Sequence, residues 1–464
     1  MPADLHYLSL DDVARRLKAR TLSSVEVTRA MLDRIAKIDG NLKSYATVTP
    51  ERALADAAAR DAEAASGRLR GPLHGVPVAV KDLCNTAGVA TAAGMAIHRR
   101  NVPDRDATVV ARLKAAGAVI LGKLQMTEGA FGAHHPTIPA PTNPWNAGYW
   151  TGVSSSGSGV ATAAGLCYAS LGSDTGGSIR FPSTMNGLSG LKPTWGRVSR
   201  AGVFPLAESL DHIGPMTRSA LDCAWIMGVI AGADPDDPTA APISVPNYVA
   251  AIDAGVRGKR IGLPAGLADL DSDSERTLAE AVATLRRSGA EIVKVALPPM
   301  FNQAGYDWIG LCGVETALAH QATYPSRASD YGLVLAGLIE TGRGMTAVEY
   351  ARLQTRRASL TGAINGLLAT IDLLLMPVTG TAVWSLEHLA ATGRDPDAVA
   401  ARLRYTAPFD LSGHPTLTLP GGMTGDGVPT GFQIVGPAFG ESAILAAGHA
   451  FQQASEWHLK RPPL

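Results

Sequence analysis

The chain has 464 residues, longer than an ordinary single domain but within the range of large α/β enzymes. Its 41 basic residues balance its 41 acidic ones, so no global field draws it to nucleic acid or to an anionic membrane. The four cysteines, Cys84, Cys167, Cys223 and Cys312, are scattered without a Cys-x-x-Cys pair, which argues against a zinc ribbon or disulfide framework and for a reduced, cytoplasmic protein.

The amino terminus, Met1-Pro-Ala-Asp-Leu-His-Tyr7, has no basic segment followed by an apolar run, so no secretion signal is read there. From Leu10 to Ile38, Val13, Leu17, Val25, Val27, Leu32 and Ile35 recur at helical spacing and predict two helices broken near Thr21. Alanine-rich Ala53 to Ser66 predicts a solvated helix. Gly75-Val-Pro-Val-Ala-Val-Lys81 reads as a strand that closes on a lysine. Asp106 to Ala116 then reads as a helix, Gly117 as its left-handed stop and Ala118 to Leu121 as the next strand. The stretch from Gly232 to Pro246, rich in Asp, Pro and Ala, reads as a surface connection. Further on, Ser272 and Glu275 take capping-box positions, Leu278, Val282 and Leu285 share a helical face, Gly289 stops the helix and Ile292 to Val295 form a strand. Ile371 to Met376 is too short to cross a bilayer and reads as a buried strand. Such alternation implies the α/β class, a sheet covered by helices.

Two serines set in glycine carry the chemical signal: Ser154 in Gly152-Val-Ser-Ser-Ser-Gly-Ser-Gly159, and Ser178 in Asp174-Thr-Gly-Gly-Ser-Ile-Arg180. A hydroxyl becomes a useful nucleophile when a base takes its proton and donors receive the charge that develops on the substrate. Gly176 and Gly177 leave the N–H groups of Thr175, Gly176, Gly177 and Ser178 able to turn inward as a nest for an oxyanion. Lys81, at the end of an apolar run, would be desolvated, which lowers its pKa and supplies a neutral amine near neutral pH.

Each feature alone has a plainer reading. Gly-Gly-Ser can be a solvated turn, and Lys81 can reach solvent from a strand end or be neutralised by Asp82. Together with Ser154 they favour catalysis. Asp174 and Arg180 flank Ser178 in opposite charge and read as a buried pair that supports the turn. No phosphate-binding Gly-x-x-x-x-Gly-Lys-Ser/Thr and no Gly-x-Ser-x-Gly elbow occurs; Ser189-Gly-Leu-Lys192 matches Ser-x-x-Lys, but its companion motifs are missing and Pro193 forbids a helix through it. Adjacent His134 and His135 lie in a proline-rich segment that reads as a pocket wall or lid rather than a metal site. Met126, Phe131 and Trp145 read as core.

Lys81, the Ser154-Ser155 pair and the Asp-Thr-Gly-Gly-Ser-Ile-Arg string resemble the amidase signature family, whose two serines lie about two dozen residues apart, as these do. The likeness extends through Leu22-Ser-Ser-Val-Glu-Val27, Gly122-Lys123, Glu128-Gly-Ala130, Asn143-Pro-Trp145, Leu188-Ser-Gly-Leu-Lys-Pro-Thr194 and Gly431-Phe-Gln-Ile-Val-Gly436. It implies one α/β domain over residues 1–464 with a mixed central sheet, a catalytic core over about 70–220 and a variable substrate-pocket region over about 300–410. By the same resemblance Ser178 would be the acylated nucleophile, Ser154 the bridging serine in a cis peptide and Lys81 the base. Ser155 would support them, and backbone atoms at Gly129 and Ala130 would hold substrate. This chain has Val153 and Ser156 where the family usually has glycine.

The implied activity is hydrolysis of a carbon–nitrogen acyl bond in a small molecule, an aryl or aliphatic amide, with carbamate and ester as options, without cofactor, metal, nucleic acid or membrane. A homodimer is the family expectation. Two alternatives are a glutaminase subunit of a transfer-RNA amidotransferase, whose tyrosine-rich string is missing between Glu340 and Arg357, and an inactive scaffold, which should have lost Lys81 or a serine. Tyr306, Trp308, Leu311, Leu333 and Leu335 suggest an apolar or aromatic acyl group but serve equally well as core.

Overall fold

Apolar runs bounded by glycine and proline become strands here, and eleven of them join one mixed sheet in the computed structural model, which describes residues 5–393 and 395–464. Residues 1–4, where no secretion signal is read, and Arg394, inside the expected variable region, lie outside the described residues. In chain order the strands are β1 (Tyr45–Val48), β2 (Pro77–Lys81), β3 (Val119–Leu124), β4 (Ala169–Asp174), β5 (Ser189–Lys192), β6 (His212–Thr217), β7 (Arg260–Pro264), β8 (Glu291–Val295), β9 (Leu373–Pro377), β10 (Thr416–Met423) and β11 (Pro429–Val435). Their order across the sheet is β1-β3-β2-β4-β6-β5-β10-β11-β9-β7-β8.

β2 runs parallel to both β3 and β4, and all three strands are buried along their whole length. That is the environment in which a continuous apolar run such as Val78-Ala-Val80 is stable. β6 returns antiparallel to β4, pairing Asp174 with His212, and β10 joins the two halves through β5 and β11. Helices cover the faces, as the alternating pattern implies.

The opening helices are Leu10–Lys18 and Ser24–Leu42, separated because Ser23 takes the N-cap and accepts the Glu26 N–H at 3.0 Å. The alanine-rich helix spans Pro50–Ala65, beginning earlier than predicted because a proline suits its first turn; it is solvated on one side only, with Ala53, Ala57 and Arg60 buried. Gly117 and Gly289, read as helix stops, adopt φ of +92° and +95°, and Gly117 is left-handed as expected. One cap differs from expectation. The N-cap of helix Ser272–Arg287 is Asp271, whose carboxylate accepts the Ser274 N–H at 2.7 Å, because a charged oxygen answers the helix dipole better than the Ser272 hydroxyl. The 232–246 connection is largely exposed but tethered, Asp234 accepting from Thr108 and Asp237 from the Arg200 N–H.

All four cysteines are free and buried, and among the described residues no helix is long and apolar enough to cross a membrane. The topology matters most at one edge. The carboxyl ends of parallel strands β2 and β4 place Lys81 beside Ser173 and Asp174, while helices Ser156–Ala163 and Arg180–Asn186 start just after the serine pair and just after Ser178. Clefts at the carboxyl ends of parallel strands are where α/β sheets bind ligands.

Candidate active site

Lys81 ends β2 with its side chain fully enclosed, and its Nζ lies 2.6 Å from Ser154 Oγ, 2.9 Å from Ser155 Oγ and 2.8 Å from Ser173 Oγ. Burial lowers its pKa to about 7, with the fields of Cys84, Asp174 and Asp211 opposing that shift. The fallback in which Asp82 neutralises it fails on geometry: Asp82 faces Lys123 at 3.4 Å and accepts the Ala92 N–H.

The Val153–Ser154 peptide is cis, and the Ser154 carbonyl accepts the Thr127 N–H at 3.2 Å. Ser155 is pinned to β4, donating to the Ser173 carbonyl at 3.1 Å and accepting the Ser173 N–H at 3.2 Å. Its own N–H reaches the Ser178 carbonyl at 3.4 Å, which brings the Ser178 turn against the serine pair. Ser154 has no exposed surface, whereas Ser178 is 8% exposed, and among the described residues the Ser178 hydroxyl bonds to no other group. Ser178 is the most exposed serine of the set. Ser156, the departure from glycine, faces His134, its Oγ 3.2 Å from Nε2; burial lowers that imidazole to about 4, so it is neutral at physiological pH. His135 instead pairs with Thr137.

The turn before Ser178 is held from below. Asp174 accepts the N–H of Gly177 at 2.6 Å and of Ile179 at 3.0 Å, and Arg180 grips the same carboxylate through Nε at 3.0 Å and Nη2 at 2.9 Å. The expected four-amide nest is therefore amended: the Gly177 N–H is spent on Asp174, because burying an ionised carboxylate is costly unless hydrogen bonds replace its lost water. Among the described residues no acceptor takes the N–H of Thr175, Gly176 or Ser178. Burial alone would raise Asp174, yet the Arg180 charge holds it far below the usual carboxylate range.

Arg180 also reaches Asp410 at 2.5 Å and the Thr406 carbonyl at 2.9 Å. Burial pushes Asp410 upward. Sequence reasoning missed Asp410, which lies 230 residues from Arg180 in a string without motif character. It also missed Ser173 and Asp211; the Asp211 carboxylate accepts the Thr175 hydroxyl at 2.5 Å. Lys192 does not approach Ser189 as a catalytic pair; it ends β5 buried, 3.1 Å from His212 Nε2, and burial lowers it to about 7.

Aromatic side chains wall the turn on both sides. Trp308 donates to the Thr175 carbonyl at 2.5 Å and stacks with Phe131, while Phe181 lies under Gly177 in a cluster with Trp150 and Trp384. Gly176 and Gly177 are required here, since an added Cβ would stand 2.6 Å from the Trp308 ring and 2.5 Å from Phe181. Leu311 and Leu335 are buried nearby, but Tyr306 and Leu333 are exposed, Leu333 by 76%. Met126 is core, whereas Phe131 and Trp145 are only partly buried. Gly129 and Ala130 both take positive φ, +54° and +64°. Ala130 and Ser173 line a cavity of about 330 Å³ that runs past Phe204, Leu206 and Asp211 to Arg200 and Asp236–Thr239. Neither Ser178 nor Lys81 is on its wall, and the cavity meets the site at Ser173.

The chain matches the family described as Amidase over residues 26–445. A Mycobacterium tuberculosis (strain ATCC 25618 / H37Rv) protein named "Putative amidase AmiD" is 50% identical over 458 residues, covering 98% of this chain and 96% of that protein. A glutamyl-tRNA(Gln) amidotransferase subunit of Geobacter sp. (strain M21) is 38% identical over 484 residues, covering 98% of this chain and 99% of that protein. Among solved structures, the native peptide amidase of Stenotrophomonas maltophilia matches with a TM-score of 0.86 at 32% identity, covering 100% of this chain and 99% of that one.

Proposed function

Given that this chain belongs to the amidase signature family and acts on amide bonds, we propose that it is a serine amidohydrolase working through an acyl-enzyme on Ser178, with Ser154 as relay and Lys81 as base. The observation that carries this reading is the enclosed Lys81 amine, held near neutral pKa and 2.6 Å from Ser154 Oγ. Neutral Lys81 takes the Ser154 proton as Ser154 takes that of Ser178, and Ser178 Oγ attacks the carbonyl carbon. The oxyanion rests on the free N–H groups of Thr175, Gly176 and Ser178, with Gly177 contributing its missing side chain rather than its N–H. The relay then returns the proton to the departing nitrogen, which is needed because an amide anion is a very poor leaving group. Water attacks the Ser178 ester by the same route and releases the acid.

The reading extends to the substrate: a small aryl or aliphatic amide, with carbamate or ester turnover at the same centre. The Trp308–Phe131 wall and the Phe181–Trp150–Trp384 wall favour flat apolar groups on either side of the scissile bond. In this reading backbone atoms at Gly129 and Ala130 help to hold the substrate. The four free cysteines fit a reducing, cytoplasmic setting.

A second reading, a partner-dependent glutaminase, draws on the amidotransferase relative at 38% identity. Turnover of anilides, aliphatic amides, carbamates and glutamine by the chain alone separates the two: anilide or carbamate hydrolysis without partners supports the first, and glutamine hydrolysis only with added partner proteins supports the second.

A further inference from the structure

A neutral lysine amine has two N–H donors and one lone pair, yet three hydroxyls surround Lys81 Nζ within 2.9 Å. One of them must therefore donate to the lone pair. Ser155 is excluded: its proton goes to the Ser173 carbonyl, and its oxygen already accepts the Ser173 N–H, so from Lys81 it can only accept. The lone pair faces either Ser154 or Ser173. In the second case Lys81 would donate to Ser154 and could not take its proton.

The surroundings choose between them. Ser154 is fully enclosed, and among the described residues its hydroxyl has Lys81 as its one hydrogen-bond partner. Ser173 lines the cavity of about 330 Å³, which is large enough for solvent and opens past Asp211 and Phe204 towards Arg200 and Asp237. Both hydroxyls are satisfied in one arrangement only: Ser154 donates to Lys81, while Ser173 accepts from Lys81 and sends its own proton into the cavity.

We infer that Ser173 is a positioning residue for Lys81, which by accepting one amine N–H aims the lone pair at Ser154. The inference rests on the reading of Lys81 as the base. Among the described residues the Ser173 hydroxyl is bonded to Lys81 and to neither Ser154 nor Ser178, so it acts through the lysine. The other groups that face the Lys81 charge are Cys84, Asp174, Asp211 and His134, and none of them is altered by changing Ser173.

The test is the pH profile of kcat/KM on an amide substrate for wild type, Ser173→Ala, Ser173→Thr and Lys81→Ala. Ser173→Ala lowers kcat roughly tenfold or more and moves the acid limb to lower pH, because the ammonium form loses an acceptor. Ser173→Thr restores both. A merely structural role would lower the folded fraction and leave the limb in place. If Ser173→Ala fails to fold, Ser173→Cys, with its poorer acceptor, shifts the limb in the same direction. An unmoved limb and an unchanged kcat in the folded alanine or cysteine variant, with Lys81→Ala inactive, overturns the role of Ser173 alone. Full amide turnover by Lys81→Ala overturns the reading beneath it.

Discussion

The Asp174 carboxylate accepts the Gly177 backbone N–H at 2.6 Å, one residue before Ser178, whose hydroxyl bonds to no other group among the described residues. That bond fixes the direction of the neighbouring amides. Asp174 is in turn held by Arg180, and Arg180 is shared with Asp410 in the short helix Ala407–Leu411, so the shape of the turn depends on a contact 230 residues away in sequence.

Arg180→Ala leaves two carboxylates buried without their cation, and breaking a buried pair in this way costs about 3–5 kcal/mol. Urea denaturation should show a loss of that size. Asp410→Asn keeps the Asp174–Arg180 pair and should cost clearly less. Equal losses would mean that Asp410, not Asp174, is the principal partner.

Gly176→Ala places a Cβ 2.6 Å from the Trp308 ring, which must displace either the ring or the turn. A displacement near 1 Å at a reacting centre costs on the order of 100-fold in rate. Steady-state kinetics should show that fall in kcat, and Trp308→Leu in the same chain should recover part of it by making room. No recovery would place the harm in the backbone rather than in the contact.

Burial holds Lys81 at about 7, so its neutral fraction grows with pH through that value. The log of kcat/KM should therefore climb with pH below about 7 and level off above it. The unfolded chain keeps that proton up to about 10.4. Between the two values the unfolded state binds the extra proton, so this group makes stability rise with pH. An activity that falls as pH rises through 7 would contradict a lysine base.

Lys81→Ala should lose amide turnover more completely than turnover of activated esters, since an activated ester needs less help for its leaving group. Parallel assays on matched anilide and nitrophenyl ester substrates measure the difference. Equal losses would count against a relay that protonates the departing nitrogen.

Short strings made much of this site legible. Lys81 closes its own apolar run, the serines announce themselves by glycine, and Asp174 and Arg180 are near neighbours in sequence, so local spacing placed them. Ser173 lay unread inside β4, because its importance comes from β4 standing beside β2. Asp410 reaches Arg180 across 230 residues, which no local pattern encodes. The same limit explains Tyr306 and Leu333, apolar in composition yet turned outward by their helices. At helix starts the competition between neighbouring cap residues was decided by charge, as with Asp271 over Ser272.

The Ser178 nucleophile is tested most directly by intact-mass spectrometry of the protein treated with a fluorophosphonate, followed by peptide mapping, with Ser178→Ala in parallel. One adduct is expected, on Ser178, lost in the variant along with amide turnover while thermal unfolding stays nearly unchanged. An adduct on Ser154 or elsewhere, or amide turnover that survives Ser178→Ala, would contradict it.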